Sequence, residues 1–343
     1  MGQPLLGHKQ YVTALTWEPL HLNKGAGERL ASSSKDGTVR VWNARTGQCL
    51  AVLSQHTASI ECCKWGGEGL LYTASRDRSI KVWALNGTGR DFGKLVRTLT
   101  GHGHRVNTLA LSTDYVMRTG PFDHTGKISH GAATPFEAAQ AKYRAFVAGN
   151  GPERLVSGSD DFTLFLWNPA EDKKPLARLT GHQQAVNHLS FSPDGRYIAS
   201  ASFDKKVKVW DGRTGRFLST LVGHVGAVFM VAWSPDSRLL VSASKDSTLK
   251  LWDVSCLSVG GDGRPVHLIS HVLHTRPHTH HRRPGGPRPR RRSPGTTTRC
   301  TRWTGRPTGA ASPRGARTAP SRYGSHSLVG KGGRNCLFGL EFF

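Results

Sequence analysis

One pattern constrains this chain more than any other: a serine or threonine, an aspartate four residues later and a tryptophan six residues beyond that, five times over. The copies are Ser32/Asp36/Trp42, Thr73/Asp77/Trp83, Ser157/Asp161/Trp167, Ser200/Asp204/Trp210 and Ser242/Asp246/Trp252. Each is preceded by a histidine: His8, His56, His102, His182 and His224, all in Gly-His except His56, which follows Gln55. The tryptophans lie 41, 84, 43 and 42 residues apart, so a unit of about 40 to 45 residues repeats with one interval doubled. Repetition at this period means stacked units that share their apolar faces.

Within a unit the spacing has a physical reading. In SASFDKKVKVW (200–210) the run bearing Ser200 turns at Asp204, and Val207, Val209 and Trp210 then alternate with lysines, as a strand with one buried face does. Imidazole can bridge a carboxylate and a hydroxyl, and the indole N–H, a donor only, can end on the hydroxyl. The four residues resemble the structural tetrad of WD40 repeats. The expected fold is therefore all-β, a WD40 β-propeller with five recognisable blades, incomplete, followed by a disordered basic tail. A His, a Ser and an Asp in one unit also invite a hydrolase reading. Five copies on one beat are architecture instead, and no strained G-x-S-x-G turn accompanies them. Paired carboxylates, phosphate loops and metal-ligand spacings are absent from the repeats, so the expectation is a non-enzyme with no cofactor, no metal and no small-molecule substrate.

Taken in order, the blades are expected at about 8–53, 56–99, 102–179, 182–221 and 224–254, with 1–254 forming the repeat domain. The doubled interval falls in the third unit, where Gly101-His102 and Val106–Leu111 are in place but Ser157 comes late. A second Gly-His and a second Asp-x5-Trp are missing there, so 113–152 reads as an insertion between the first two strands of one blade. Phe136, Ala139, Tyr143, Phe146 and Val147 sit near helical spacing and predict a short amphipathic helix, either functional or packed on the blade. Five blades without closing partners are expected to leave open strand edges.

The net charge of +24 suggests nucleic acid, but it is unevenly placed: residues 255–343 hold 16 Lys and Arg against 2 acidic residues. The tail is low-complexity Arg, Pro, Gly and Thr without strand periodicity. Residues 271–281 read as a histidine tract and 282–295 as a basic arm. Shifted codons from Ser293 onward permit Gly-His, Ser-Pro-Asp-Gly and Asp-x5-Trp again, so the tail is also read as a sixth repeat out of frame, with 255 to about 290 as intronic sequence. The cysteines, Cys49, Cys62, Cys63, Cys256, Cys300 and Cys336, lack C-x-x-C spacing and are expected to be reduced. With no apolar run of membrane-spanning length and no signal-peptide core, a soluble intracellular chain is expected.

The likeness goes beyond the generic motif. TALTWEPLHLN (13–23), GHGHRVNTLALSTDY (101–115) and GPERLVSGSDDFTLFLWNPAEDKKPL (151–176) are similar to the Notchless homologue family over about residues 5–254. That resemblance implies a scaffold in large (60S) ribosomal subunit assembly, with a link to Notch signalling. It also implies pre-60S proteins or rRNA as partners and a place in the nucleus and nucleolus, with the cytoplasm second. Family members dock on the midasin ATPase through an amino-terminal ubiquitin-like domain that this sequence does not show, so that docking is not carried over. The competing function is a general WD40 adaptor in signalling or ubiquitin-ligase substrate recognition. The residues just before each repeat aspartate, Lys35, Arg76, Asp160, Phe203 and Lys245, are expected to face a partner.

Overall fold

In the computed structural model, residues 4–22, 28–86, 89, 91–122, 127–128 and 134–255 are described, together with the backbone of Leu268–His274. The first sheet contains β1 (Val12–Trp17), β2 (Arg29–Ser34), β3 (Val39–Asn43) and β4 (Cys49–Leu53). The second contains β5 (Ile60–Trp65), β6 (Leu70–Ser75), β7 (Ser79–Ala84) and β8 (Lys94–Thr100). The third begins with β9 (Val106–Leu111), is interrupted by α1 (Asp114–Thr119) and α2 (Pro135–Asn150), and resumes with β10 (Leu155–Ser159), β11 (Leu164–Trp167) and β12 (Pro175–Leu179). The fourth is β13 (Val186–Phe191), β14 (Tyr197–Ser202), β15 (Lys206–Asp211) and β16 (Phe217–Val222). The fifth is β17 (Val228–Trp233), β18 (Leu239–Ser244), β19 (Thr248–Asp253) and β20 (Leu268–His274). Every sheet is a four-stranded antiparallel meander in sequence order.

This meander follows from the repeat. Alternation puts Val39, Val41 and Trp42, or Val207, Val209 and Trp210, out of water, while the aspartate turn reverses the chain between the second and third strands. The first strands stack in series, β1 on β5, β5 on β9, β9 on β13 and β13 on β17. The apolar core is accordingly divided into four clusters, one at each junction between neighbouring sheets. The first–second junction gathers Val39, Val41, Ile60, Trp65 and Trp83, and the fourth–fifth gathers Val207, Val209, Val228, Val231 and Trp252. A sheet in such an array is stabilised by its neighbours more than by its own interior.

The insertion forms where the doubled interval placed it, and α2 overshoots the expected helix by a residue at its start and three at its end. Its N-terminus explains the start: Thr134 accepts from the Glu137 backbone N–H at 3.2 Å and Pro135 takes the first helical position. Ala138 and Ala139 are buried, and Phe136, Tyr143, Phe146 and Val147 are half-buried. Tyr143 stacks on His21 of the 3-10 turn Leu20–Leu22, with ring centroids 4.2 Å apart. A Cβ on Gly67 would collide with the Tyr143 ring, so the β5–β6 turn needs glycine for the helix to lie over it. Arg213, in the β15–β16 turn, donates to the Gly149 carbonyl at 3.0 Å. The helix thus touches turns of the first, second and fourth sheets, all at the end away from the repeat aspartates.

One stretch departs from the sequence reading. Leu268–His274, assigned to the tail, is the fourth strand of the fifth sheet, pairing antiparallel with β19 from Leu268 opposite Trp252 to His274 opposite Thr248. A last strand bonds to one neighbour only and can form on weak alternation, and the arginines and prolines that follow masked it. The remaining expectations for the tail, the histidine tract beyond His274, the arginine tract and the shifted sixth repeat, lie outside the described residues.

Candidate functional site

Each sheet carries one polar network at the end where its second and third strands turn. In the second sheet His56 Nδ1 lies 2.6 Å from Asp77 Oδ2, His56 Nε2 lies 2.8 Å from Thr73 Oγ1, and Trp83 Nε1–H donates to Thr73 Oγ1 at 3.0 Å. The other four sheets repeat this with Ser32, Ser157, Ser200 and Ser242 as the central hydroxyl. Their His Nε2 to Oγ distances are all 2.8 Å, and their Trp Nε1 to Oγ distances run from 2.8 to 2.9 Å. His8 and Asp36, His102 and Asp161, His182 and Asp204, and His224 and Asp246 stand 3.1, 3.0, 2.8 and 2.9 Å apart. An ionised carboxylate only accepts, so Nδ1 carries the proton. In the neutral ring Nε2 then accepts from the hydroxyl, which itself accepts from the indole. Each hydroxyl is buried, with its proton given to the imidazole and a lone pair to the indole. It is a strut, with neither the exposure nor the free base that a nucleophile needs.

The aspartates receive more than the histidine. Asp36 accepts from the backbone N–H groups of Lys9 and Thr38, both at 2.9 Å, and from the Thr38 hydroxyl at 2.6 Å. Burial by itself would raise its pKa, but the donors from Thr38, Lys9 and His8 outweigh burial and hold the carboxyl well below the usual carboxylate range. Asp77, Asp161 and Asp246 are depressed by the same balance, with burial again opposing the hydrogen bonds. Asp204 is lowered too, with burial opposed chiefly by the hydrogen bond from His182. Its residue two places on is Lys206, so no hydroxyl joins there.

A further member of the network recurs in every copy: Ser34, Ser75, Ser159, Ser202 and Ser244, two residues before the aspartate. Each accepts from the aspartate backbone N–H at 3.1 to 3.2 Å. Each also donates to a carbonyl of the loop leading into its own sheet, as Ser202 does to Gln184 at 3.0 Å. The spacing S-x-D recurs in all five repeats and is the sequence signal for this member. The residue after each aspartate is Gly37, Arg78, Phe162, Lys205 or Ser247, with φ between 62° and 77°. Only Gly37 takes that left-handed conformation without strain.

Above the networks lies the rim. Lys35, Arg76 and Lys245 are exposed, whereas Asp160 and Phe203 are half-buried and engaged. Asp160 holds Arg105 Nε at 2.5 Å and accepts from Asn107 Nδ2 at 2.5 Å. Phe203 meets Phe229 edge-on at 6.1 Å. Lys9, Arg78 and Lys205 are exposed at the same end. The rim is therefore cationic, interrupted by the apolar Phe162 and Phe203 and the acidic Asp160.

A second polar site lies at the opposite end, and nothing in the sequence signalled it. The carboxylate of buried Glu153 accepts from the Gly67 N–H at 2.8 Å, the Tyr72 hydroxyl at 3.0 Å and the Thr113 hydroxyl at 2.5 Å. Burial raises its pKa against those three donors. It ties the second sheet to the insertion. Cys49, Cys62 and Cys63 form no disulfide with one another, and burial pushes the Cys63 thiol up to about 12. Among the described residues no group of three or more His, Cys, Asp or Glu could hold a metal ion, and no helix is long and apolar enough to cross a membrane.

Comparison with known proteins agrees with this geometry. The WD domain, G-beta repeat, matches at residues 3–43, 47–84, 173–211 and 215–253, each covering the first three strands of a sheet without the insertion, and the last three also the fourth strand of the sheet before. Ribosome assembly protein 4 of Saccharomyces cerevisiae is 53% identical over 208 residues, covering 59% of this chain and 39% of the relative. Protein Notchless of Drosophila melanogaster is 48% identical over 199 residues, covering 56% and 39%. Notchless protein homolog of Arabidopsis thaliana is 53% identical over 220 residues, covering 64% and 44%. The chain spans about two fifths of the length of these relatives. In its five sheets, its five tetrads and these identities, the chain is similar to WD40-repeat proteins and, among them, to the Notchless homologues.

Proposed function

We propose that this chain is a non-catalytic scaffold in assembly of the large ribosomal subunit, working in the nucleus and nucleolus and offering the aspartate-turn rim to pre-60S proteins or rRNA. Its identity of 53% to a protein named for ribosome assembly carries the reading. The geometry supports it in two ways. The five hydroxyls that could mimic a catalytic serine are locked between an imidazole and an indole, and the cationic rim suits a polyanionic particle.

Lys35, Arg76 and Lys245 are the exposed contacts in this reading, and Asp160 and Phe203 shape the surface between them. Sedimentation tests it. The tagged full chain, expressed in cells and run on a sucrose gradient, is expected to co-migrate with large-subunit precursors. Migration only with free protein, under conditions in which a known precursor factor stays bound, would refute the scaffold role.

A further inference from the structure

The repeats serve as controls for one another, because a position that differs between copies is not dictated by the architecture. At the aspartate-turn end each junction between sheets is lined by the residues flanking the aspartate of one sheet and the three residues after the histidine of the next. Between the second and third sheets these are Arg76, Arg78, Gly103, His104 and Arg105, around a cleft of about 340 Å³. The equivalent positions at the other three junctions carry one lysine, none, and one lysine: Lys35, then no cation, then Lys205. Three arginines and a histidine at one junction are thus a local departure from the repeat.

The cleft is built to present guanidinium groups. Arg105 is fixed by Asp160 at 2.5 Å, and Arg76 Nε lies 3.9 Å from Glu61 Oε1. Arg78 has no ionic partner among the described residues and projects from a backbone at φ 70°. The Gly103 N–H is taken by Asp161 at 2.8 Å, which leaves the side chains as the available donors. Two carboxylates against three arginines orient the cations without cancelling them. Guanidinium groups bind phosphate oxygens through paired N–H donors, where a lysine offers a point charge. Lys9, Lys35, Lys205 and Lys245 continue the positive surface on the same end, which fits a polymer of phosphates more than a single one.

We propose that the Arg76/Arg78/Arg105 cleft is a phosphate-binding site for the backbone of an RNA strand, the arginines gripping phosphodiester oxygens and the lysine rim extending the path. The inference rests on the scaffold reading and names the chemistry of its rim.

Fluorescence anisotropy with a labelled RNA oligonucleotide and the full chain tests it, over 50 to 200 mM salt. The variant Arg76→Gln/Arg78→Asn removes the two rim-facing guanidiniums, with Asn chosen because it tolerates positive φ. Lys35→Gln/Lys245→Gln removes the same charge elsewhere on the rim. The cleft variant is expected to bind about tenfold more weakly, with a salt slope shallower by about 1.4, since each phosphate contact contributes about 0.7 on single strands. The lysine variant is expected to lose about twofold.

No RNA binding by the wild type, equal loss in both variants, or unchanged binding by the cleft variant would each overturn the site. So would tight binding of a phosphoserine peptide that RNA does not displace, which would assign the cleft to a phosphoprotein. Gradient sedimentation of the same proteins separates the two ideas. A chain that joins precursors while its cleft variant binds RNA normally loses the cleft and keeps the scaffold. A chain that binds RNA through the cleft but stays off precursors keeps the cleft and loses the scaffold.

Discussion

The first and second sheets are copies of one unit, yet their equivalent residues live in different surroundings. On β5, Ile60, Cys63 and Trp65 are 0%, 1% and 2% exposed; their counterparts on β1, Val12, Leu15 and Trp17, are 46%, 59% and 55% exposed. The tetrads register it only at the carboxylate, where His8 stands 3.1 Å from Asp36 and His56 stands 2.6 Å from Asp77. His8 and Trp42 hold Ser32 at 2.8 Å each, against 2.8 and 3.0 Å around Thr73 in the second sheet. The polar network is therefore intrinsic to a sheet, and the apolar core is shared between sheets. Among the described residues no sheet covers this face of β1, and its aliphatic and indole side chains lie in the open.

The sharpest way to break this comparison is to cut the same tryptophan twice. Trp65→Ala should cost about 3 to 5 kcal/mol by cavity formation, and Trp17→Ala less than about 1 kcal/mol. Urea denaturation followed by far-ultraviolet circular dichroism measures both, and similar losses would mean that β1 is as covered as β5. Acid comes next in size. The tetrad aspartates have folded pKa values below the ordinary carboxylate value. Their stabilisation is complete above about pH 4 and is lost as pH falls through that value toward the folded ones. If the network is intrinsic, hydrogen exchange at the Asp36 and Asp77 turns should accelerate together between pH 5 and pH 2. Earlier acceleration at Asp36 would tie the tetrad to neighbour packing after all.

Smaller effects sharpen the contrast at the far end of the sheets. Gly67→Ala, which forces the Tyr143 ring of α2 away from the second sheet, should cost about 1 to 3 kcal/mol as an overpacked contact. An unchanged melting temperature would mean that the helix is not seated there. Least of all, Ser34→Ala and Ser75→Ala should each cost about 1 kcal/mol, the usual worth of a buried hydrogen bond, and by equal amounts. Unequal costs would show that the serine two residues before the aspartate does not act alike in covered and uncovered sheets.

What could be read from sequence is what repeats. Histidine, hydroxyl, aspartate and tryptophan recur at fixed offsets, so one copy explains five, and the doubled interval located the insertion before any helix was seen. The S-x-D serines obey the same rule and were passed over because serine is common in strands and turns. Glu153 was beyond reach for a different reason. Its partners, Gly67 and Tyr72 of the second sheet and Thr113 at the start of the insertion, meet only across two sheets, and no spacing in a single copy announces them. The strand Leu268–His274 escaped because its identity comes from backbone pairing with β19, whereas the reading followed composition. The arginine cleft lay in the residues that differ between copies, which a search for repetition discards.

If the rim is the face that meets a ribosomal precursor, reversing its charge must abolish that association. Its most direct test is gradient sedimentation of the full chain with Lys35→Glu, Arg76→Glu and Lys245→Glu combined, three exposed positions whose change leaves every tetrad in place. The wild type is predicted to travel with large-subunit precursors and the triple variant to remain at the top of the gradient with an unaltered circular dichroism spectrum. A triple variant that still travels with the precursors would contradict the account and move the interface to another face.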